Sequence, residues 1–301
     1  MSLRRALALA VTVLPGCAPP DVCGATVPAT SSSLGRVVAH AHNDYEHERP
    51  LQDALDHHFA SVEADVWHRD GDVVVSHDPW TSRGTLADLY LAPLAARVEA
   101  RGTIHGDGAP FFLWLDLKDG TPELRALLSE ALAAQPGLHR FTDDEGLDDV
   151  DVDRGPVVVV LTGDAGSKGA MLDEVPAPRP FVVDANAFPG PSAGGQGTRD
   201  AFEGDAAGAI DPRVAAFSLS SPTWLGAWDG VAPAPVDLVE RARCVVGRAH
   251  SDGSRRRPVR FFGGPDTPAA WDLVVDVGVD FLHTDDLAGA AAFLAERETG
   301  R

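Results

Sequence analysis

The chain has 301 residues, 44% of them hydrophobic, and a formal net charge of −20. That apolar content suffices for one large core, and a single barrel domain of roughly 250 residues lies in the usual range. The acidity is spread along the whole chain, serves solubility, and argues against a nucleic-acid partner.

The start reads as a targeting segment. Arg4 and Arg5 precede the apolar run Ala6–Leu14, and Pro15, Gly16 and Cys17 follow. A basic start, a short apolar core and small residues predict a signal peptide over 1–17, and the run is too short to span a bilayer. Leu14-Pro15-Gly16-Cys17 is similar to a bacterial lipobox, whose cysteine carries a lipid, although Pro15 departs from the small residue usual there. The expectation is an exported protein, secreted or anchored at the bacterial cell envelope, with membrane association through that anchor. Residues 18–34, rich in Pro, Ser, Thr and Ala, read as a linker, and 35–301 as the domain. In an exported protein Cys23 and Cys244 could pair; no C-x-x-C spacing for zinc is present.

The domain opens with a β-α-β unit. Strand-like runs Arg36–Ala41 and Ala60–Trp67 flank a helical segment over Pro50–Asp56, and Val73–Ser76 forms a third run. Thr85 can cap a helix to about Ala100. Phe111–Leu117 is a strand, and Thr121 with Pro122 starts the next helix. Pro156–Leu161, Pro180–Val183, Val214–Leu219, Val259–Phe262 and Val279–His283 are further strands. Pro235–His250, Pro268–Val277 and Asp286–Ala295 are helices. Apolar strands alternating with amphipathic helices predict a parallel sheet buried on both faces. About eight strands predict a (β/α)₈ TIM barrel, with its active site at the carboxyl ends of the strands. Strand definition is weakest between Asp184 and Val214, where Gly and Pro dominate.

Polar residues collect at those ends. His42, Glu63, Asp65, Asp116, Asp184 and Asp285 all lie at or near one. Residues two apart on a strand share a face, so His40 with His42, and Glu63 with Asp65, are pairs. Histidines that trade protons beside carboxylates that can hold a hard cation are the parts of metal-assisted hydrolysis. Two acids inside an apolar strand need a partner, and a metal is a better account than arginines. Asp285 suits a helix cap. Trp224 is a packing residue by type that could also wall a substrate pocket.

These residues resemble the TIM-barrel phosphodiesterases, the superfamily of glycerophosphodiester phosphodiesterases, phosphatidylinositol-specific phospholipases C and sphingomyelinases D. The matching motifs are Ala41-His42, Glu63-Ala64-Asp65 and His77-Asp78. Leu115-Asp116-Leu117-Lys118 matches the sphingomyelinase D branch. Within the superfamily the chain is most similar to the altered-inheritance-of-mitochondria type, through His40–Tyr45 and the Pro265–Leu287 stretch. The resemblance implies cleavage of a small-molecule or lipid phosphodiester, with His42 and His77 as the acid–base pair. Glu63, Asp65 and Asp116 would hold Mg²⁺ or Ca²⁺. Lys118, with His40 and Asn43, would lie near the phosphate, and His40 could support or replace His42. The His-Arg-Gly of the glycerophosphodiesterase branch is absent, since Asn43 and Asp44 follow His42. Two other readings stand beside this one. His40-Ala41-His42 could open the metal site of an amidohydrolase-type or polymerase-histidinol-phosphatase-type barrel, although the middle strands hold no further histidine. The barrel could also bind a phosphate ligand without turning it over.

Overall fold

The computed structural model describes residues 34–187, 213–226, 228–250 and 256–299, together with Ser32 and Asp211. In chain order the strands are β1 (Val38–Ala41), β2 (Ser61–Arg69), β3 (Asp72–Val75), β4 (Gly84–Thr85), β5 (Phe111–Leu117), β6 (Val157–Gly163), β7 (Val182–Ala187), β8 (Val214–Ser220), β9 (Val259–Phe262) and β10 (Phe281–Thr284). The helices are α1 (Gln52–Asp56), α2 (Ala92–Arg101), α3 (Pro122–Ala134), α4 (Ala165–Glu174), α5 (Ser221–Trp224), α6 (Val236–His250), α7 (Pro268–Asp276) and α8 (Leu287–Thr299). Hydroxyl caps start three segments, at Thr85 and Thr121 as the sequence implies and also at Thr267. Thr121 Oγ1 accepts from Leu124 N, Thr267 Oγ1 from Ala270 N, and Thr85 Oγ1 from Asp88 N ahead of α2.

Eight parallel strands close into a barrel. The order is β1-β10-β9-β8-β7-β6-β5-β2, and β1 pairs back onto β2. Strands β3 and β4 are an antiparallel extension of β2. Strand β2 overshoots the rim and turns at Asp70-Gly71, where φ is +52° and +88°. Two left-handed residues in an Asp-Gly pair suit a tight hairpin whose twist matches its strands. The return strand β3 then carries the chain back to the level of Asp65, where Ser76 N donates to Asp65 O.

Alternation along the strands sorts the interior into layers. On β5, Phe112, Trp114 and Asp116 share one face, so polarity rises toward the carboxyl end. Phe112, Trp114, Phe281, Val158, Val160 and Val38 form an apolar plug. Ring centroids of Trp114 and Phe281 lie 5.2 Å apart, edge to face. The other strand faces pack against the helices, as with Leu113, Leu115 and Val159 beside Leu124 and Leu128. Among the described residues no helix is long and apolar enough to cross a membrane. Cys244 is disulfide-bonded, and its expected partner Cys23 lies outside the described residues. Arg257 is buried, and its Nε donates to Val214 O over 2.8 Å.

Candidate active site

The rim collects residues from four strand ends. Asp65 and Asp116 are register partners on β2 and β5. The Nζ of Lys118 donates to Asp116 Oδ2 over 2.7 Å and lies 3.2 Å from Asp65 Oδ2. Burial pushes the Asp65 carboxyl up to about 6 against the pull of Lys118. Burial likewise raises Asp116. Burial opposes the charge on Lys118, but Asp116 and Asp65 hold its pKa above the ordinary value. Asp65 Oδ1 is buried and has no partner. Gly163, at the end of β6, makes room for this cluster. Its φ is +84°, and a Cβ there would stand 2.1 Å from Asp116 Oδ1 and 2.7 Å from Leu117 O.

The hairpin delivers His77 to the same place. Its Nδ1 lies 3.2 Å from Asp65 Oδ2 and 3.4 Å from the Tyr45 hydroxyl, and its side chain is 61% exposed. Across the rim His42 follows β1, and its backbone N donates to Thr284 O. His42 Nδ1 is 2.8 Å from Asp285 Oδ1, which orients the ring and leaves Nε2 for chemistry. Burial lowers the His42 pKa, but the Asp285 contact and the charge of Glu63 raise it, for a net increase above 6.5. The bond from His42 holds Asp285 below the usual carboxylate range.

Asp285 is itself locked by Asp266. Oδ2 of Asp266 accepts from the backbone N of Asp285 and of Asp286, over 2.7 and 2.9 Å. Its Oδ1 accepts from Trp271 Nε1 over 3.0 Å and from the Thr284 hydroxyl. On the other flank Asp44 accepts from Leu51 N over 2.5 Å and from Tyr90 over 2.8 Å, bracing the turn that carries His42 and Asn43. Asn43 takes a left-handed φ of 42° at that turn.

Beneath the rim lies a second polar layer. Arg260 on β9 is fully buried, 4.3 Å above the Trp114 ring. It donates to Glu63 Oε1 over 2.8 Å, to His40 Nε2 over 2.9 Å and to Ser218 Oγ over 2.7 Å. A guanidinium only donates, so His40 Nε2 is an acceptor and Nδ1 carries the proton, donated to Ser61 Oγ over 2.8 Å. His40 is neutral, its pKa lowered by burial to about 4. Burial works against the Glu63 charge, but Arg260 beside it holds the carboxyl well below its usual range. Glu63 Oε2 is 3.5 Å from His40 Nε2, and with that nitrogen an acceptor it receives no proton from the ring.

The structure therefore brings His42, His77, Asp65, Asp116 and Lys118 to one rim, with Glu63 and His40 a layer below. Trp224 is 2% exposed and clusters with Phe217 and Leu219 beside β8. Two expectations change. Asp285 does not cap α8: Asp286 does so, accepting from Gly289 N, and Asp285 touches His42. Glu63 has an arginine partner after all. Arg260 and His283, like Asp266, carry no functional expectation from the sequence. A lone arginine inside Val259–Phe262 and the histidine closing the last strand were their signals. The His283 ring sits 4.2 Å from His42 and 5.4 Å from His40, and burial keeps it neutral.

Among the described residues His40, Glu63 and His283 bring ligand atoms within 4.8 Å of one another. The histidine-metal reading needs further histidines on middle strands, whereas the added histidine here is on the last strand. Arg260 already binds both His40 Nε2 and Glu63 Oε1, so a second cation there would meet a buried guanidinium. Higher up, Asp65 and Asp116 supply the oxygen chemistry a hard cation takes, and Asp65 Oδ1 is buried without a partner, but the point on which the two carboxylates converge is held by the Lys118 ammonium.

Comparison with known proteins agrees with the motifs. Residues 30–174 match the AIM6-like phosphodiesterase domain. The chain is 28% identical over 286 residues to Altered inheritance of mitochondria protein 6 of Eremothecium gossypii, covering 84% of this chain and 68% of that protein. The protein of the same name from Lachancea thermotolerans is 28% identical over 281 residues, covering 82% of this chain and 63% of that protein. These relatives overturn the expected location. Both are yeast proteins named for mitochondrial inheritance, which points away from a bacterial envelope lipoprotein, and Pro15 already fitted a lipobox poorly. Residues 30–174 are thus similar to the AIM6-like phosphodiesterase domain, and they lie on an α/β TIM barrel.

Proposed function

We propose that the protein is a phosphoric diester hydrolase in which His42 and His77 exchange protons across one phosphoryl group. The observation that carries this is the pair of histidines at one rim, each held through Nδ1 by a carboxylate, with the Lys118 ammonium between the acids. Asp285 accepts from Nδ1 of His42, so Nε2 is the atom that takes the proton of the attacking hydroxyl. That hydroxyl belongs to water or to the substrate. His77, with Nδ1 against Asp65, returns a proton through Nε2 to the leaving oxygen. Lys118 lies where it can offset charge on the non-bridging oxygens. Asp65 and Asp116, with Glu63 beneath them, would hold Mg²⁺ or Ca²⁺. When bound, such an ion supplies positive charge to the phosphoryl oxygens. Arg260 fixes Glu63 as an anion and His40 as a neutral donor to Ser61, so His40 supports the rim instead of titrating with it.

The test is turnover of a phosphodiester panel with Mg²⁺, with Ca²⁺ and with chelator, on wild type and on His42→Ala. The panel holds glycerophosphodiesters, phosphatidylinositol, lysophospholipids, sphingomyelin and bis-p-nitrophenyl phosphate. Turnover that needs the metal and is lost in His42→Ala is the expected result. Unchanged turnover in the variant would remove His42 from the mechanism, and no turnover of any diester would favour a phosphate-binding barrel.

A further inference from the structure

The two rim histidines ride on different segments. His42 leads into the 3₁₀ turn Asp44–Glu46, and His77 opens the loop between β3 and β4. That loop is tied to β2, where Trp67 Nε1 donates to Ser76 O over 2.8 Å and Arg69 donates to Pro79 O. The His77 side chain is 61% exposed, so packing does little to set its place. Among the described residues, the hydrogen bonds that cross from one segment to the other come from two side chains. Arg83, at the far end of the loop, donates through Nε to Tyr45 O and through Nη2 to His47 O, each over 2.8 Å. Its own backbone is pinned to β3, where its N donates to Val75 O over 2.9 Å. Tyr45 crosses the other way, with its hydroxyl 3.4 Å from His77 Nδ1.

We propose that Arg83 and Tyr45 are positioning residues that fix the separation of His42 and His77 across the phosphoryl group. This deepens the phosphodiesterase reading and rests on it. In that reading His42 takes the proton of the attacking hydroxyl as its oxygen bonds to phosphorus. His77 gives a proton to the oxygen whose bond to phosphorus breaks. Both transfers need the two rings at one spacing, and a displacement of about 1 Å can cost roughly 10²-fold in rate. A guanidinium suits the task. Carbonyls at the end of a helical turn lack partners within it, and arginine offers a rigid fork of donors that fixes two of them at once. Tyr45 has a narrower task. Its ring is wholly buried, so its hydroxyl is a fixed point. Burial, and then the charge of Asp65, raises its pKa, so the hydroxyl keeps its proton. His77 Nδ1 faces both Asp65 Oδ2, at 3.2 Å, and this hydroxyl. The ring therefore has two anchors on one edge, and Nε2 is left for the substrate.

The experiment compares the p-nitrophenyl and ethyl esters of glycerol phosphate on wild type, Arg83→Met, Tyr45→Phe and His77→Ala, with each fold checked by circular dichroism. p-Nitrophenolate departs without a proton, whereas ethoxide needs one from His77. Arg83→Met releases the turn behind His42, and should lower kcat on both esters by roughly 10–100-fold with KM within about twofold of wild type. Arg83→Lys keeps the charge without the fork. It should lose less in the same pattern, and it carries the test if Arg83→Met folds poorly. Tyr45→Phe keeps the buried ring and removes only the hydroxyl. It should lower kcat roughly tenfold on the ethyl ester and leave the p-nitrophenyl ester near wild type, the selectivity expected of His77→Ala. Wild-type kcat in folded Arg83→Met, or a Tyr45→Phe that treats the two esters alike, would overturn the inference and leave the phosphodiesterase reading standing. Equal loss on both esters in His77→Ala would remove the proton donor and overturn the reading itself. No cleavage of either ester by wild type would overturn both.

Discussion

His40 on β1 and His42 just beyond its end stand two residues apart, yet they belong to different chemistry. His40 is wholly buried, accepts from Arg260 and is held neutral. His42 has a third of its side chain exposed, leans on Asp285 and is the more basic of the two. Glu63 and Asp65 repeat the contrast on β2. The deeper acid is fixed as an anion by a guanidinium, and the shallower one keeps an oxygen without a partner. Residue type does not separate the pairs; one rung of barrel depth does. A buried layer whose hydrogen bonds are largely satisfied is a scaffold, and a layer with open atoms above it is a reagent.

Truncation in each layer should therefore damage different properties. His42→Ala removes a part-buried group whose ring hydrogen-bonds Asp285 and lies beside His283. It should lower kcat by roughly 10²–10⁴-fold and leave the thermal midpoint close to wild type, measured by turnover and by calorimetry. Arg260→Met should do the reverse first. It leaves Glu63 buried without its cation, a loss of about 3–5 kcal/mol, read from the denaturant midpoint. Replacing both, Arg260→Met with Glu63→Gln, should recover part of that stability. If Arg260→Met were as stable as wild type, the lower layer would not be the scaffold described.

Gly163→Ala probes the boundary between the layers. Left-handed backbone disfavours alanine by roughly 1–2 kcal/mol, and the new Cβ would collide with Asp116 Oδ1. Stability should fall by about that amount, and turnover should fall with it because Asp116 and Lys118 must shift. Loss of stability with full turnover would show that the position of Asp116 is uncritical.

Much of this was legible in the sequence. The barrel follows from apolar strands alternating with capped helices, and the rim acids and histidines follow from polar residues closing apolar runs. Arg260 was hidden because a single arginine in a four-residue strand says nothing of its facing. Its acid partner is 197 positions earlier. Such a pair exists only once the barrel has closed. Asp285 was hidden for a different reason. Two aspartates precede α8, either could cap it, and the choice is made by Asp266, which binds both backbone amides and turns one side chain each way. His283 gave no sign of stacking on His40 or of lying beside His42 because register between the first and last strands is not a local property.

Asp285→Asn is the gentlest of these changes and the most specific. The Asp285 side chain is 72% exposed, so its pairing with His42 is screened by solvent. The loss in kcat/KM at the optimum should stay below about tenfold. The pH profile should move more clearly. In wild type the His42 pKa lies above 6.5, so a base at this position is spent as the pH falls through that raised value. Removing the carboxylate charge lowers the His42 pKa, and the acid limb of the profile should shift to lower pH. If instead the alkaline limb shifts, His42 is the proton donor and the roles of His42 and His77 are exchanged. Stability follows the same linkage. A histidine with a raised folded-state pKa stabilises below its unfolded value, and that contribution fades as pH rises through the folded one. Asp285→Asn should therefore be less stable than wild type in mild acid and nearly equal to it in alkali. An unmoved profile on both sides would mean that Asp285 only positions the loop, a task Asp266 already performs from behind.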